Sequence, residues 1–274
     1  MPILADYHIH THHSGDSDAP MEATIERAME QGLKKICFTE HQDLDFPEIP
    51  GQAPDRFTLI TEPYRDEVFA CREKYGDRID IGFGVEIGLQ LEDTVRKNRE
   101  YMSGFDFDFV IGSIHLMDHQ DFYYPYVWEG RSIDEMYRHC FELTLENIIA
   151  FKDFDVLGHL DYITRYSPDK GESYDWTRFA DIIDEILKQL IADGKGLDIN
   201  SKVLFTNPDG NPNPHPGILK RFYELGGRII TFGSDAHFPE QVACGFERTR
   251  QMALDAGFTE YYTFEGRVPT AHKL

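Results

Sequence analysis

Apolar residues recur along this chain in seven short runs separated by longer stretches of helical spacing. The runs are "PILADY", "KKICFTE", "IDIGFGVEI", "FDFVIGSIH", "FDVLGHLD", "GLDIN" and "RIITFGSD". They lack the strict alternation of a sheet with one wet face, so they read as strands covered on their outer side. Between the fifth and sixth runs, "WTRFADIIDEILKQLIADG" puts Phe179, Ile182, Ile183, Ile186, Leu187, Leu190 and Ile191 on one helical face, and Gly194 offers a stop. Residues 20–33, 56–75, 89–101, 132–151, 215–226 and 239–256 read as further helices. Strands alternating with helices predict a parallel α/β architecture. A barrel is favoured over an open sheet because no glycine-rich phosphate loop follows the first run. "NPDGNPNPHP", after the sixth run, reads as a rigid, exposed loop.

Size and charge narrow this picture. With 274 residues, 41% of them hydrophobic, the chain is expected to form one α/β domain over residues 1–274. Its 27 basic and 49 acidic residues give a net charge of −22, which argues against nucleic-acid partners and anionic membranes. No apolar stretch of about 18 residues is present to span a bilayer, and the start has no basic, then apolar, leader. A soluble, cytoplasmic protein is the expectation. Cys37, Cys71, Cys140 and Cys244 are scattered without a Cys-x-x-Cys pair, so they read as reduced, mostly buried side chains.

The chemistry lies where the runs end. "DYHIHTHHSGDS" holds four of the twelve histidines. His8 and His10 end the first run, and Thr39, Glu40 and His41 the second. Glu86 ends the third, and His115 follows the fourth. His159 and Asp161 follow the fifth, Asn200 ends the sixth, and Asp235 and His237 follow the seventh. In a parallel barrel the C-terminal strand ends build one rim, so these distant positions become neighbours. His8 and His10, two apart on a strand, point the same way and can chelate one ion. Imidazole combined with carboxylate suits zinc, manganese or iron.

"DYHIHTHHSGDS", "ICFTEH", "GFGVEIG", "FVIGSIH", "VLGHLD" and "GSDAH", in this order, resemble the polymerase and histidinol phosphatase (PHP) superfamily, most closely its histidinol-phosphate phosphatase type. The resemblance runs from Ala5 to His237. It implies a distorted TIM-like (β/α)7 barrel with two to three divalent metal ions. Carried over residue by residue, His8, His10, Glu86 and Asp235 hold the first ion, and Asp16, His41 and His237 the second. Glu86, His115 and His159 hold the third, so Glu86 bridges two ions. At Asp16 the family varies between His and Asp, and the loop also offers His12, His13 and Asp18.

The implied reaction is hydrolysis of a phosphate monoester, L-histidinol phosphate, to L-histidinol and phosphate in histidine biosynthesis, by a hydroxide shared between two ions. Three divalent ions bring about +6 against about −3 from Asp16, Glu86 and Asp235, which admits a small phosphorylated metabolite to an acidic protein. Asp161 is the candidate general acid, its alternative being a partner that orients a ligand histidine. Arg165 is the candidate phosphate clamp, its alternative a surface ion pair. The family tends to have a second basic contact after the sixth strand. Here Lys202 is the nearest cation, with Asn200 and Ser201 as polar substrate contacts or, alternatively, turn formers. "DFYYPYVWEG" is either an aromatic wall for an imidazole ring or an ordinary packed loop. Other small phosphate esters or nucleotides are the rival substrates. An amidohydrolase is the rival class, but it usually carries a metal-bridging lysine where this chain has "GSIHL".

Overall fold

The computed structural model describes residues 2–53 and 55–274. Each apolar run contains a strand, because its side chains are buried on both faces of the sheet. β1 (Ala5–Ile9), β2 (Lys35–Gln42), β3 (Asp80–Gly88) and β4 (Phe109–Ser113) pair in parallel. A small antiparallel hairpin follows, β5 (Leu116–Met117) with β6 (Gln120–Asp121). The parallel sheet then continues through β7 (Val156–Leu157), β8 (Gly196–Asn200) and β9 (Ile230–Gly233). Beyond β9 the chain returns to β1: Asp235 N donates to the His8 carbonyl at 2.7 Å, and His10 N to the Ala236 carbonyl at 2.8 Å. The seven parallel strands thereby form a nearly closed barrel.

The strands alternate with α1 (Met21–Glu30), α2 (Thr61–Tyr75), α3 (Asp93–Met102), α4 (Ile133–Ala150), α5 (Ala180–Ala192), a short α6 (Lys202–Thr206), α7 (Pro216–Glu224) and α8 (Phe246–Ala256). α4 starts at a capping box in which Ser132 and Glu135 satisfy each other's backbone N–H. α5 buries Ile183, Ile186, Leu187 and Leu190, the stripe that its period predicts. Among the described residues no helix is long and apolar enough to cross a membrane. All four cysteines are free, and all but Cys244 are buried.

Three expectations are corrected. Residues 239–256 are not one helix: a turn at Pro239–Gln241 is followed by left-handed Ala243 (φ 57°) and Gly245 (φ 68°) before α8 begins. The break lets Ala243 N donate to the buried Asp6 carboxylate at 3.0 Å. "NPDGNPNPHP" is exposed only in its first half. Pro212, Asn213 and Pro214 are buried, and Asn213 exchanges backbone hydrogen bonds with Asn200 at 2.8 and 3.0 Å. The apolar pattern also left the C-terminal hairpin unassigned. There β10 (Glu260–Glu265) and β11 (Val268–Lys273) pair antiparallel. Phe264 packs on Phe109, and its backbone exchanges hydrogen bonds with the Tyr7 hydroxyl at 2.8 and 3.1 Å. Arg267 N donates to the Asp108 carbonyl, and its guanidinium to Asp155. Asp108 and Asp155 precede β4 and β7, so the hairpin sits at the N-terminal end of the barrel and leaves the opposite mouth open.

Candidate metal centre

Every barrel strand delivers a polar group to that open mouth, and Glu86 stands at the centre. Its side chain is fully buried. Glu86 Oε1 lies 3.0 Å from His159 Nε2 and 3.3 Å from His115 Nε2. Glu86 Oε2 lies 3.3 Å from His8 Nε2, 3.4 Å from His10 Nε2 and 3.0 Å from His41 Nδ1. Asp235 Oδ1 is 3.6 Å from His10 Nε2 and 3.4 Å from His237 Nδ1. Asp16 Oδ2 is 3.1 Å from His237 Nε2 and 3.7 Å from His41 Nε2. All nine residues expected to bind metal therefore meet in one group, although they span the chain from His8 to His237. Asp16 is the loop residue that joins them; His12 and His13 turn outward to Glu67 instead.

The donor atoms fit divalent cations. Among the described residues, His8 Nε2, His10 Nε2, His41 Nδ1 and Glu86 Oε2 are buried without a hydrogen-bond partner. Buried polar atoms are almost always paired, so several orphans converging on one place mark a site shaped for something else to satisfy them. The outer ring nitrogens of His8, His115 and His10, by contrast, are held. His8 Nδ1 lies 2.9 Å from Asp198 Oδ2, His115 Nδ1 2.8 Å from Asp43 Oδ1, and His10 Nδ1 3.1 Å from Ser14 Oγ. Such partners fix the tautomer and turn the other nitrogen's lone pair inward. Four groups, His8/His10/Asp235, His10/His41/His237, His41/Glu86/His115 and His8/Glu86/His159, each keep their ligand atoms within 4.8 Å of one another. Imidazole and carboxylate without thiolate is a zinc, manganese or iron set.

Sequence reasoning missed Asp198 and Asp43. A signal existed for each: Asp198 shares a strand face with Asn200 in "GLDIN", and Asp43 follows His41 by two in "TEHQD". Two glycines make their approach possible. A Cβ at Gly233 would meet His8 Cβ and Asp198 Oδ1, and one at Gly88 would meet the Asp43 carboxylate. Asp235 adopts a left-handed φ of 52°, the backbone strain that functional sites often hold. Asp198→Asn removes the charge behind His8 while keeping its shape. Metal affinity is expected to fall roughly 10- to 100-fold, measured by competition with a chromophoric chelator; an unchanged affinity would dismiss the orienting role.

The electrostatics are those of a charge cluster. Burial alone would raise Glu86, but the imidazoles of His8, His115 and His41 outweigh it and hold the carboxyl well below its usual range. Asp235 is depressed in the same way: burial opposes ionisation, and Lys202, His8 and His237 overcome it. His8 and His115 move up despite burial because Glu86 and their outer carboxylates, Asp198 and Asp43, face them. Burial dominates at His159, which drops to about 4. His10 also drops, through burial and the neighbouring His41 and His237.

Two cations border the cluster. Arg165 is no surface ion pair. Its Nε donates to Asn213 Oδ1 at 2.7 Å, one terminal nitrogen to Asn200 Oδ1 at 2.6 Å and the other to Asp235 Oδ2 at 3.2 Å, while its guanidinium lies over the Tyr162 ring. Lys202 Nζ donates to Asp235 Oδ1 at 3.0 Å and to His237 Nδ1 at 2.8 Å. Asn200 is fully buried and its amide is spent on Arg165 and Asp235, so it positions the arginine and does not meet solvent. Ser201 is also buried, and its hydroxyl donates to the Gly233 carbonyl, which corrects its reading as a substrate contact.

Asp161 faces away from the cluster. Both carboxylate oxygens are taken, Oδ1 by Asn213 Nδ2 at 2.6 Å and Oδ2 by His215 N at 2.9 Å. None of its hydrogen bonds goes to the cluster, so it does not orient His159, while burial pushes its carboxyl above the usual range. It holds the loop that holds Arg165. His215 in turn caps α7 by accepting from Gly217 N, and His119, His139 and His272 bond to Gln90, Asp118 and Thr263 away from the site.

On the side of His41 and His115 a cavity of about 300 Å³ opens, lined by Phe46, Phe57, Asp121, Tyr123, Tyr124 and Tyr166 among others. "DFYYPYVWEG" thus divides between the two readings: Asp121, Tyr123 and Tyr124 face the cavity, whereas Phe122, Val127 and Trp128 join the core.

Comparison with known proteins agrees with this architecture. The PHP domain family matches residues 6–202. A histidinol-phosphatase of Lactococcus lactis is 32% identical over 267 residues, covering 95% of this chain and 94% of the relative. A probable histidinol-phosphatase of Clostridium acetobutylicum is 33% identical over 270 residues, covering 97% and 98%. The crystal structure of the Lactococcus lactis histidinol phosphate phosphatase complexed with zinc, L-histidinol and phosphate superposes with a TM-score of 0.88 at 31% identity, covering 97% of this chain and 98% of that one.

Proposed function

The chain belongs to the PHP domain family, and from that premise we propose that it hydrolyses L-histidinol phosphate to L-histidinol and phosphate, as one domain over residues 1–274. The observation that carries the reading is the placement of Arg165 and Lys202 beside a cluster of orphaned nitrogen and oxygen donors at one barrel mouth. His8, His10, Glu86 and Asp235 would hold one zinc, manganese or iron ion, Asp16, His41 and His237 a second, and Glu86, His115 and His159 a third. When bound, such ions acidify water toward a pKa of about 7 and neutralise phosphoryl charge.

The remaining work falls to the chain itself. Arg165, clamped by Asn200 and Asn213, presents a planar, prepositioned fork to the phosphate oxygens, so little entropy is lost on binding. Lys202 adds a point charge that Asp235 and His237 aim at the same place. The aromatic cavity receives the leaving group. Its rings suit an imidazole, and Asp121 suits a cationic amine. Asp161 acts as a positioning residue through Asn213.

The deciding experiment is phosphate release from a panel of histidinol phosphate, AMP and p-nitrophenyl phosphate by metal-loaded protein. Histidinol phosphate is expected to lead by kcat/KM; equal turnover across the panel would remove the narrow substrate and leave a general phosphoesterase. Asp121→Asn is expected to raise KM for histidinol phosphate about 10-fold, roughly 1.4 kcal/mol, and to leave p-nitrophenyl phosphate unaffected. An equal effect on both esters would contradict the amine contact. Asp161→Asn presents an amide N–H to a donor, either Asn213 Nδ2 or His215 N. Losing one charge-assisted hydrogen bond, about 1.5–3 kcal/mol, should lower kcat/KM roughly 10- to 100-fold through a displaced Arg165. Metal content and both limbs of the pH profile should persist, and disappearance of one limb would restore the acid role.

A further inference from the structure

We propose that His12, His13 and Glu67 form a separate surface site for one further divalent ion of zinc type. The loop after β1 divides its side chains by direction: His10 and Asp16 turn into the barrel mouth, whereas His12 and His13 turn toward α2. There Glu67 Oε2 lies 2.7 Å from His13 Nε2 and 3.3 Å from His12 Nε2. The two imidazoles are neighbours, with ring centroids 4.4 Å apart and planes tilted by 33°. Ligand atoms from all three residues fall within 4.8 Å of one another.

Nitrogen and oxygen ligands about 2.0–2.2 Å from a tetrahedral zinc sit about 3.4 Å from each other. His12 and Glu67 already have that spacing, and His13 reaches it by withdrawing less than about 1 Å. Two imidazoles with one carboxylate also constitute a zinc set in kind. The loop backbone is held before any ion arrives. His12 N donates to the Ala19 carbonyl at 3.0 Å and Ser14 N to the Thr11 carbonyl at 2.9 Å, so binding has only side chains to order. The His12 and Glu67 side chains are 45% and 33% exposed, which leaves room for water as a fourth ligand and makes the site weaker than the buried cluster. An ion there ties the β1–α1 loop to α2.

The rival is a plain hydrogen-bonded His–Glu contact. To separate the two, full-length protein is first saturated at the barrel mouth with zinc and dialysed against a weak chelator. Zinc alone is then titrated by calorimetry, with elemental analysis of the product. Wild type is expected to take up one further equivalent. His12→Gln and Glu67→Gln are each expected to bind it at least 10-fold more weakly, while the tightly held zinc and the rate of phosphate release stay at wild-type values. No extra equivalent in wild type, or equal uptake by wild type and both variants, would overturn the site.

Discussion

Glu86→Gln is expected to lower kcat/KM for the phosphate ester by about 10⁴-fold or more, a loss of roughly 5.5 kcal/mol. Five imidazole nitrogens lie between 3.0 and 3.4 Å from its two carboxylate oxygens, so one side chain faces every imidazole of the cluster but His237. The amide keeps the shape but loses the charge and turns an N–H toward at least two of those nitrogens. Two ions would each lose a ligand, so elemental analysis should show sub-stoichiometric metal alongside the kinetic defect. A variant that keeps both its metals and its rate would remove Glu86 from the centre of the mechanism.

Removal of metal by a strong chelator is expected to abolish phosphate release, with recovery on adding zinc or manganese. The same treatment should lower the melting temperature by at least about 5 °C. An ion present at about 100 times its Kd stabilises the folded state by about 2.7 kcal/mol, and about 1 kcal/mol moves the midpoint of a domain of this size by about 2–4 °C. The physical source is the set of buried donors, His8 Nε2, His10 Nε2, His41 Nδ1 and Glu86 Oε2, which crowd together without making a hydrogen bond among the described residues. Scanning calorimetry before and after chelation measures the shift. A chelated protein that melts unchanged and still turns over would show that these donors serve packing alone.

That the strand-end donors meet at one mouth was legible in the sequence because strand periodicity and barrel topology together say where strand-end side chains go; the loop residue Asp16 was supplied by the family resemblance alone. His8 and His10 had to share a face, and Glu86, His115, His159 and Asp235 had to rise to the same mouth, once seven parallel strands were inferred from their apolar runs. The α5 stripe was legible for the same reason, since its burial repeats at the helical period. The C-terminal hairpin was not. β11 is largely exposed, and β10 matters mainly through Phe264 and its bonds to Tyr7, a residue 257 positions away.

What each side chain does once it arrives was decided by tertiary structure. Asp198 stands behind His8 across a separation of 190 residues, and Asp43 behind His115 across 72, because barrel closure and register put them there. Asp161, two residues past His159, instead faces a loop 52 residues downstream, whose buried half had read as exposed. Residue type and spacing determine which donors reach the rim, since those are local properties of strands. Which atom faces which partner depends on how remote segments pack, and local spacing carries no record of that.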